Sequence, residues 1–232
     1  MSNFSHLSRR DLVFIILTGI FVTNAILAEI LGTKLFTILN LKMTVGVLLW
    51  PVVFVTTDVV NEYFGKQGVR HLTFLTVGLI TFTFIALFVA IKIPAADISP
   101  VNDEQFKLVF GQSLWIVVGS IAAFLVGQFV DVSIFWFLRK KTGAKQLWLR
   151  STGSTVISQL IDTFVVLGIA FYLPGKWSLG DYVAISLTNY TYKFTVACLM
   201  TPIIYLVHAA IDKFLGKQSS ENLIRDAAAH SR

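Results

Sequence analysis

The apolar residues of this chain fall in blocks of about twenty, the length an α-helix needs to cross ~30 Å of hydrocarbon at ~1.5 Å per residue. A core helix of a soluble protein keeps a polar face, so runs this long that are apolar all round point to membrane spans. Composition agrees. Of 232 residues, 55% are hydrophobic and 14% charged, whereas a soluble domain carries about 25% charged residues. The expected fold is an all-α polytopic membrane protein built as a single membrane domain.

About six transmembrane helices are expected, near residues 12–31, 45–64, 72–91, 114–138, 152–173 and 182–207. The first block is too long for a signal-peptide core and lacks a small-x-small cleavage site, so it reads as a retained span. The third holds no charged residue and reads as lipid-facing. In the loop at 92–112, Asn102 and Asp103 can cap a short amphipathic helix with Phe106, Val109 and Phe110 on its apolar side. The polar tail, 213–232, is expected to fray.

Lys and Arg number about 13 in the N-terminus, the second-to-third loop, the loop bearing Arg139, Lys140, Lys141, Lys145 and Arg150, and the tail; the opposite loops hold about 5. Both termini are therefore expected in the cytoplasm, with an even number of crossings. That bias also accounts for the formal charge of +6. No basic stretch is interleaved with aromatics, so no nucleic-acid partner is expected. The single cysteine, Cys198, excludes an intrachain disulfide and a cysteine metal cluster, and reads as a small packing residue. The four histidines, His6, His71, His208 and His230, flank spans or lie in the tail, so neither a metal site nor a cofactor is implied.

Within the spans stand residues that lipid does not tolerate alone, each ionisable one costing ~2.5–3.5 kcal/mol or more at mid-helix. The first span carries Asn24 and Glu29. The second carries Asp58, Asn61 and Glu62, which share one helical face at i, i+3 and i+4. Gln128 and Asp131 align in the fourth, Gln159 and Asp162 in the fifth, and Asn189 and Lys193 in the sixth. By helical rise, Asn24, Asp162 and Lys193 lie near the midplane, Asp58 and Asp131 nearer the cytoplasm and Glu29 nearer the outside. Interhelical glue explains any one of these residues. It does not explain the set, because Glu29, Asp58, Asp131 and Asp162 face a single lysine. A hydrated cavity for a donor-rich small solute is the expected outcome.

A carboxylate beside an amide suits neighbouring N–H donors and a carbonyl. The Watson–Crick edge of guanine presents that set, and Asn, Gln or Lys can take the carbonyl. Phe54, Phe124, Phe135 and Trp136 lie near the polar faces and can stack on a flat ring, but with 13% of the chain aromatic, packing or an interfacial belt is the more economical reading of them.

Three segments carry a family resemblance: Thr57-Asp58-Val59-Val60-Asn61-Glu62-Tyr63-Phe64-Gly65, Gly127-Gln128-Phe129-Val130-Asp131-Val132 and Ser158-Gln159-Leu160-Ile161-Asp162-Thr163. Together with Asn189-Tyr190-Thr191-Tyr192-Lys193-Phe194 they resemble signatures of the queuosine precursor transporter family, also called the vitamin uptake transporter family. The resemblance runs from about Asn24 to Pro202. It implies a bacterial inner-membrane importer of 7-cyano- or 7-aminomethyl-7-deazaguanine for tRNA modification. The implied fold has six helices, similar to the substrate-binding subunits of energy-coupling-factor importers. The residues it points to are Asp58, Gln128, Asp131, Asp162 and Lys193, with Asn24 in the first-helix pattern.

Secondary or facilitated transport is the leading expectation, and the surplus of carboxylates admits proton coupling. A capture subunit served by a separate ATPase is the alternative, since the chain has no Gly-x4-Gly-Lys-[Ser/Thr] phosphate loop of its own. An intramembrane aspartyl enzyme built on Asp131 and Asp162 is chemically conceivable, but Asp131 follows Gly-Gln-Phe-Val rather than the Gly-x-Gly of such enzymes. The partners expected are a small base and the bilayer, and a homo-oligomer is compatible with the sequence.

Overall fold

The computed structural model describes residues 7–32, 34–38, 41–111, 114–142 and 146–229; His6, Lys145 and His230 lie outside them. Helix α1 (Arg9–Leu31) begins at a capping box: the Ser8 hydroxyl accepts from the Asp11 backbone at 3.2 Å, and the Asp11 carboxylate accepts from the Ser8 backbone at 3.2 Å. A hairpin of β1 (Leu35–Ile38) and β2 (Leu41–Thr44) follows, with Leu35 opposite Thr44 and Phe36 opposite Met43. It occupies a stretch for which the apolar blocks predict no element. Its exit turn, Val45–Leu48, lies on the last turns of α1. A Cβ on Gly46 would stand 2.1 Å from the Ala28 carbonyl oxygen, so the contact requires glycine.

Helix α2 (Trp50–Ile91) runs for 42 residues. A straight helix of that length would be about 63 Å long, twice the hydrocarbon thickness. It is broken at Gly65, where φ is 69° and ψ is −170°, a region open essentially to glycine alone. Beyond the break the chain doubles back. A Cβ on Gly68 would lie 3.4 Å from Val60 Cγ1, although a straight helix holds residues eight apart at about 12 Å. Five helical stretches among the described residues are long and apolar enough to cross a membrane: Arg9–Leu31, Val45–Ile91, Ile116–Thr142, Leu147–Tyr172 and Leu179–Leu215. The six expected spans map onto these five because no loop separates the second from the third. Helical structure simply continues through the glycine turn.

Helix α3 (Asp103–Phe110) is capped by Asn102, whose side chain accepts from Gln105 N at 2.8 Å. Helices α4 (Leu114–Thr142) and α5 (Leu147–Leu167) pack along each other, and α5 ends in a π-helical turn, Gly168–Tyr172. Helix α6 (Leu179–Leu215) extends past the expected end of the last span. His208 is therefore buried within it against the Tyr63 ring, 5.0 Å between centroids. Over its described residues the tail does not fray. Residues Lys217–Ala229 form α7, which buries Ser220, Leu223 and Ala227 against α2 and α6.

One apolar core joins α1 (Val13, Leu17, Phe21), α2 (Val59, Val60, Tyr63), α4 (Phe124) and α6 (Ile204, Ile211). The second limb of α2 turns Phe74, Phe82, Ile85 and Phe88 outward, as expected of a lipid-facing helix. Cys198, read as a packing residue, is exposed instead. The guanidinium of Arg9 donates to the Phe214 carbonyl at 3.1 Å, so α1 begins and α6 ends at the same face.

Gly65→Ala forces a side chain into the strained backbone at a cost of about 1–3 kcal/mol. The expected result is a lower melting temperature in detergent with unchanged helical content. A variant melting like wild type would show that the reversal tolerates a Cβ.

Candidate functional site

Helix α5 organises the polar interior. Arg150, Ser151, Ser154, Thr155, Ser158, Gln159, Asp162 and Thr163 recur at three- and four-residue steps and are all buried. This periodicity lays one continuous polar stripe down a helix whose other faces are apolar. The buried, polar-rich first limb of α2 and the 128/131 face of α4 contribute to the same interior.

At the face holding Arg9 and Phe214, the stripe ends in a buried ion cluster. Glu62 accepts from Arg150 at 2.8 and 3.0 Å and from Arg139 at 3.1 Å, with Arg150 2% and Glu62 3% exposed. Arg139 also donates to the Ile224 carbonyl at 3.1 Å, tying α7 to the cluster. The guanidinium carbons stand 4.8 Å from the Trp136 ring (Arg139) and 5.9 Å from the Phe135 ring (Arg150). Beside it, Tyr63 donates to Asp212 at 2.6 Å, and Ser220 of α7 bonds the same carboxylate.

Toward the middle, Asp58 accepts from Ser151, and Asp131 accepts from Ser158 at 3.2 Å. Asp131 lines a narrow slot with Phe54, Thr57, Phe124, Gln128 and Gln159. Its free space is about 20 Å³, room for a single water-sized occupant. Beyond it opens a wider chamber of about 230 Å³ lined by Glu29, Trp50, Ser120, Asn189 and Lys193 among others. Asp162 and Trp50 border both spaces. Across the chamber wall, Lys193 Nζ donates to Asp162 Oδ2 at 2.7 Å, and Glu29 is hydrogen-bonded with Ser120.

The structure thus sorts the residues singled out in the sequence. Glu29, Asp162, Asn189 and Lys193 meet at the chamber, although Asn189 also turns its amide back to the Ile185 carbonyl at 2.9 Å. Phe54, Phe124, Gln128, Asp131 and Gln159 meet at the slot, with Gln128 donating to Thr57 at 3.4 Å. Asp58 borders a smaller void next to it.

Five residues fall elsewhere. Asn24 bonds the Ile20 carbonyl of its own helix at 2.8 Å and lines neither space. Asn61 is fully buried between α2 and α4, accepting from Trp136 Nε1 at 3.3 Å. Phe135 and Trp136 flank the arginines rather than the cavities. Glu62 is consumed by its two arginines, which are themselves buried and not the solvated loop charges that their sequence position suggests.

Three features escape an inventory of ionisable residues. Trp50 sits at the start of α2, where an interfacial belt is the default reading, yet it divides the two spaces and stacks on Phe54 at 5.8 Å. Phe171 lines the chamber from the π-helical turn. The serines and threonines of α5 supply the hydroxyls, and the period of their recurrence is the signal that reveals them.

Glu62→Gln removes the carboxylate that pairs with both arginines in the cluster, and breaking a buried pair costs about 3–5 kcal/mol. The purified variant is expected to melt well below wild type. Normal melting combined with abolished transport would instead place Glu62 in contact with the solute.

The family model described as "Putative vitamin uptake transporter" matches residues 44–207, which include α2 and reach into α6. The "Probable queuosine precursor transporter" of Bacillus subtilis (strain 168) is 31% identical over 180 residues, covering 77% of each chain. A protein of the same name from Haemophilus influenzae is 29% identical over 161 residues, 68% of this chain and 64% of its own. The "Queuosine precursor transporter" of Escherichia coli (strain K12) is 27% identical over 172 residues, 69% of this chain and 70% of its own. No solved structure matches. The kinship is with transporters rather than enzymes. With the matched region taking in α2, α4, α5 and the part of α6 that bears Lys193, the chain belongs to the vitamin uptake transporter family and is a multi-pass membrane transporter.

Proposed function

We propose that this protein imports 7-deazaguanine precursors of queuosine, the 7-cyano or 7-aminomethyl form, across the bacterial inner membrane. The reading places six crossings in the bilayer, the chain turning back at Gly65 between the second and third, and both termini in the cytoplasm. The fold would then be akin to that of energy-coupling-factor binding subunits.

One observation carries the substrate assignment. A carboxylate and an ammonium stand 2.7 Å apart in the wall of the chamber, with the Asn189 amide and the Trp50 and Phe171 rings around them. In the absence of solute the pair satisfies itself. A guanine-type edge can replace it group for group: N1–H and the 2-amino group donate to Asp162, and Lys193 donates to O6. The cost of separating the buried ions is then offset by charge-assisted hydrogen bonds to the base, whose plane is accommodated by the aromatic rings.

The test is uptake of labelled cyano and aminomethyl precursors by a bacterium unable to synthesise them. Losing one charge-assisted hydrogen bond costs about 1.5–3 kcal/mol, roughly a 10- to 100-fold loss of affinity. Asp162→Asn and Lys193→Ala are therefore expected to abolish uptake at low solute concentration while the proteins still insert. Unchanged uptake in both variants would remove the site assignment. Purified wild-type protein in liposomes should also transport unaided, and a requirement for an ATPase module would favour the capture-subunit reading.

A further inference from the structure

The narrow slot beneath the chamber has a chemistry of its own. Asp131 Oδ2 and Gln159 Oε1 are buried and find no hydrogen-bond donor among the described residues, and both side chains line the slot. The Thr57 and Ser158 hydroxyls beside them are already engaged, Ser158 with the other oxygen of Asp131. Thr57 donates to the Val53 carbonyl at 3.0 Å; Ser158 faces Asp131 Oδ1 at 3.2 Å and the Thr155 carbonyl at 3.0 Å. What these groups leave turned to the slot is oxygen lone pairs. Asp58, next door, also has a buried oxygen, Oδ1, with no donor among the described residues. The neighbouring guanidinium groups of Arg139 and Arg150 hold Glu62, and Lys193 holds Asp162 on the chamber side.

Such a lining needs a positive occupant of atomic size. Water would donate two protons but leave the charge of Asp131 unmatched. Oxygen-only donors select hard cations. Among these, Ca²⁺ demands six to eight ligands and Mg²⁺ retains several waters, for which about 20 Å³ has no room. No group of three or more His, Cys, Asp or Glu side chains gathers among the described residues, which disfavours a transition metal.

We propose that the slot between α2, α4 and α5 is a sodium site, with Asp131 Oδ2 and Gln159 Oε1 as ligands and the Thr57 and Ser158 hydroxyls completing the shell. The ion lies below the solute chamber and shares Asp162 and Trp50 with it, so it couples solute movement to the sodium gradient. The coupling role rests on the transport reading above; the binding does not.

Thermal unfolding of purified protein without solute, in sodium chloride against equal choline chloride at fixed pH, tests the site directly. A ligand that binds only the folded state raises its stability with concentration. The expected result is a saturable rise in melting temperature of a few degrees in sodium, lost in Asp131→Asn and reduced in Gln159→Leu. Melting in choline shows whether each variant is folded. Wild-type protein that melts identically in both salts, or that responds only to acid, overturns the proposal. In proteoliposomes, uptake driven by an inward sodium gradient and absent in choline supports coupling. If sodium shifts melting but neither precursor enters, the substrate reading fails alone. If the precursors enter and sodium shifts nothing, the cation site fails alone.

Discussion

The contact between Glu62 and the two guanidinium groups joins α2, α4 and α5 at a single buried point, and through the Ile224 carbonyl it also fastens α7. Its components cannot be separated cheaply. An unpaired carboxylate in a low-dielectric interior costs several kcal/mol, so each partner fixes the position of the other two helices. The cluster also closes one end of the polar interior. The Tyr63–Asp212–Ser220 bonds lie alongside it, and together they hold the C-terminal helix over the ends of α2 and α6.

With that end clamped, the remaining acidic groups divide by the kind of partner each one has. Asp162 has an ammonium; Glu29, Asp58 and Asp131 have serine hydroxyls contributed by α4 or α5. A hydroxyl stabilises a carboxylate by one hydrogen bond without neutralising it. The hydroxyls therefore meet part of the interior's hydrogen-bonding demand, as the two arginines do at Glu62.

Much of this plan can be read from residue order. Twenty-residue apolar blocks mark the helices, and the aligned pairs Gln128/Asp131, Gln159/Asp162 and Asn189/Lys193 mark the faces that line the two spaces. What is hidden depends on long-range geometry. Asp58 and Glu62 look equivalent on one helical face, yet only Glu62 meets arginines, because their positions follow from how α4 and α5 are clamped against α2. Asn24 looks central by depth, but rotation about α1 sets its amide against its own backbone. Trp50 gains its place only when the hairpin and Gly46 bring the start of α2 beside Ala28. The tail's small and polar composition masks an amphipathic helix because Ser220, Leu223 and Ala227 acquire a buried face only from α2 and α6.

The chamber and the slot are not independent compartments. Gln159 lines the slot, and Asp162, one turn along the same helix, borders both spaces, as does Trp50. An occupant drawing Asp162 away from Lys193 changes the electrostatics felt in the slot, and a positive charge in the slot changes the cost of moving Asp162. Linkage requires such effects to be reciprocal: whatever one occupant does to the affinity for the other is returned by the same factor. A shared carboxylate only a helical turn from the slot-lining amide is therefore sufficient for coupling, without a long conformational pathway. The Asp162–Lys193 pair is suited to that role because it sits between the clamped cluster at one end and the wider chamber at the other. Its 2.7 Å contact joins α5 to α6 in the wall of the chamber, and its carboxylate also borders the slot.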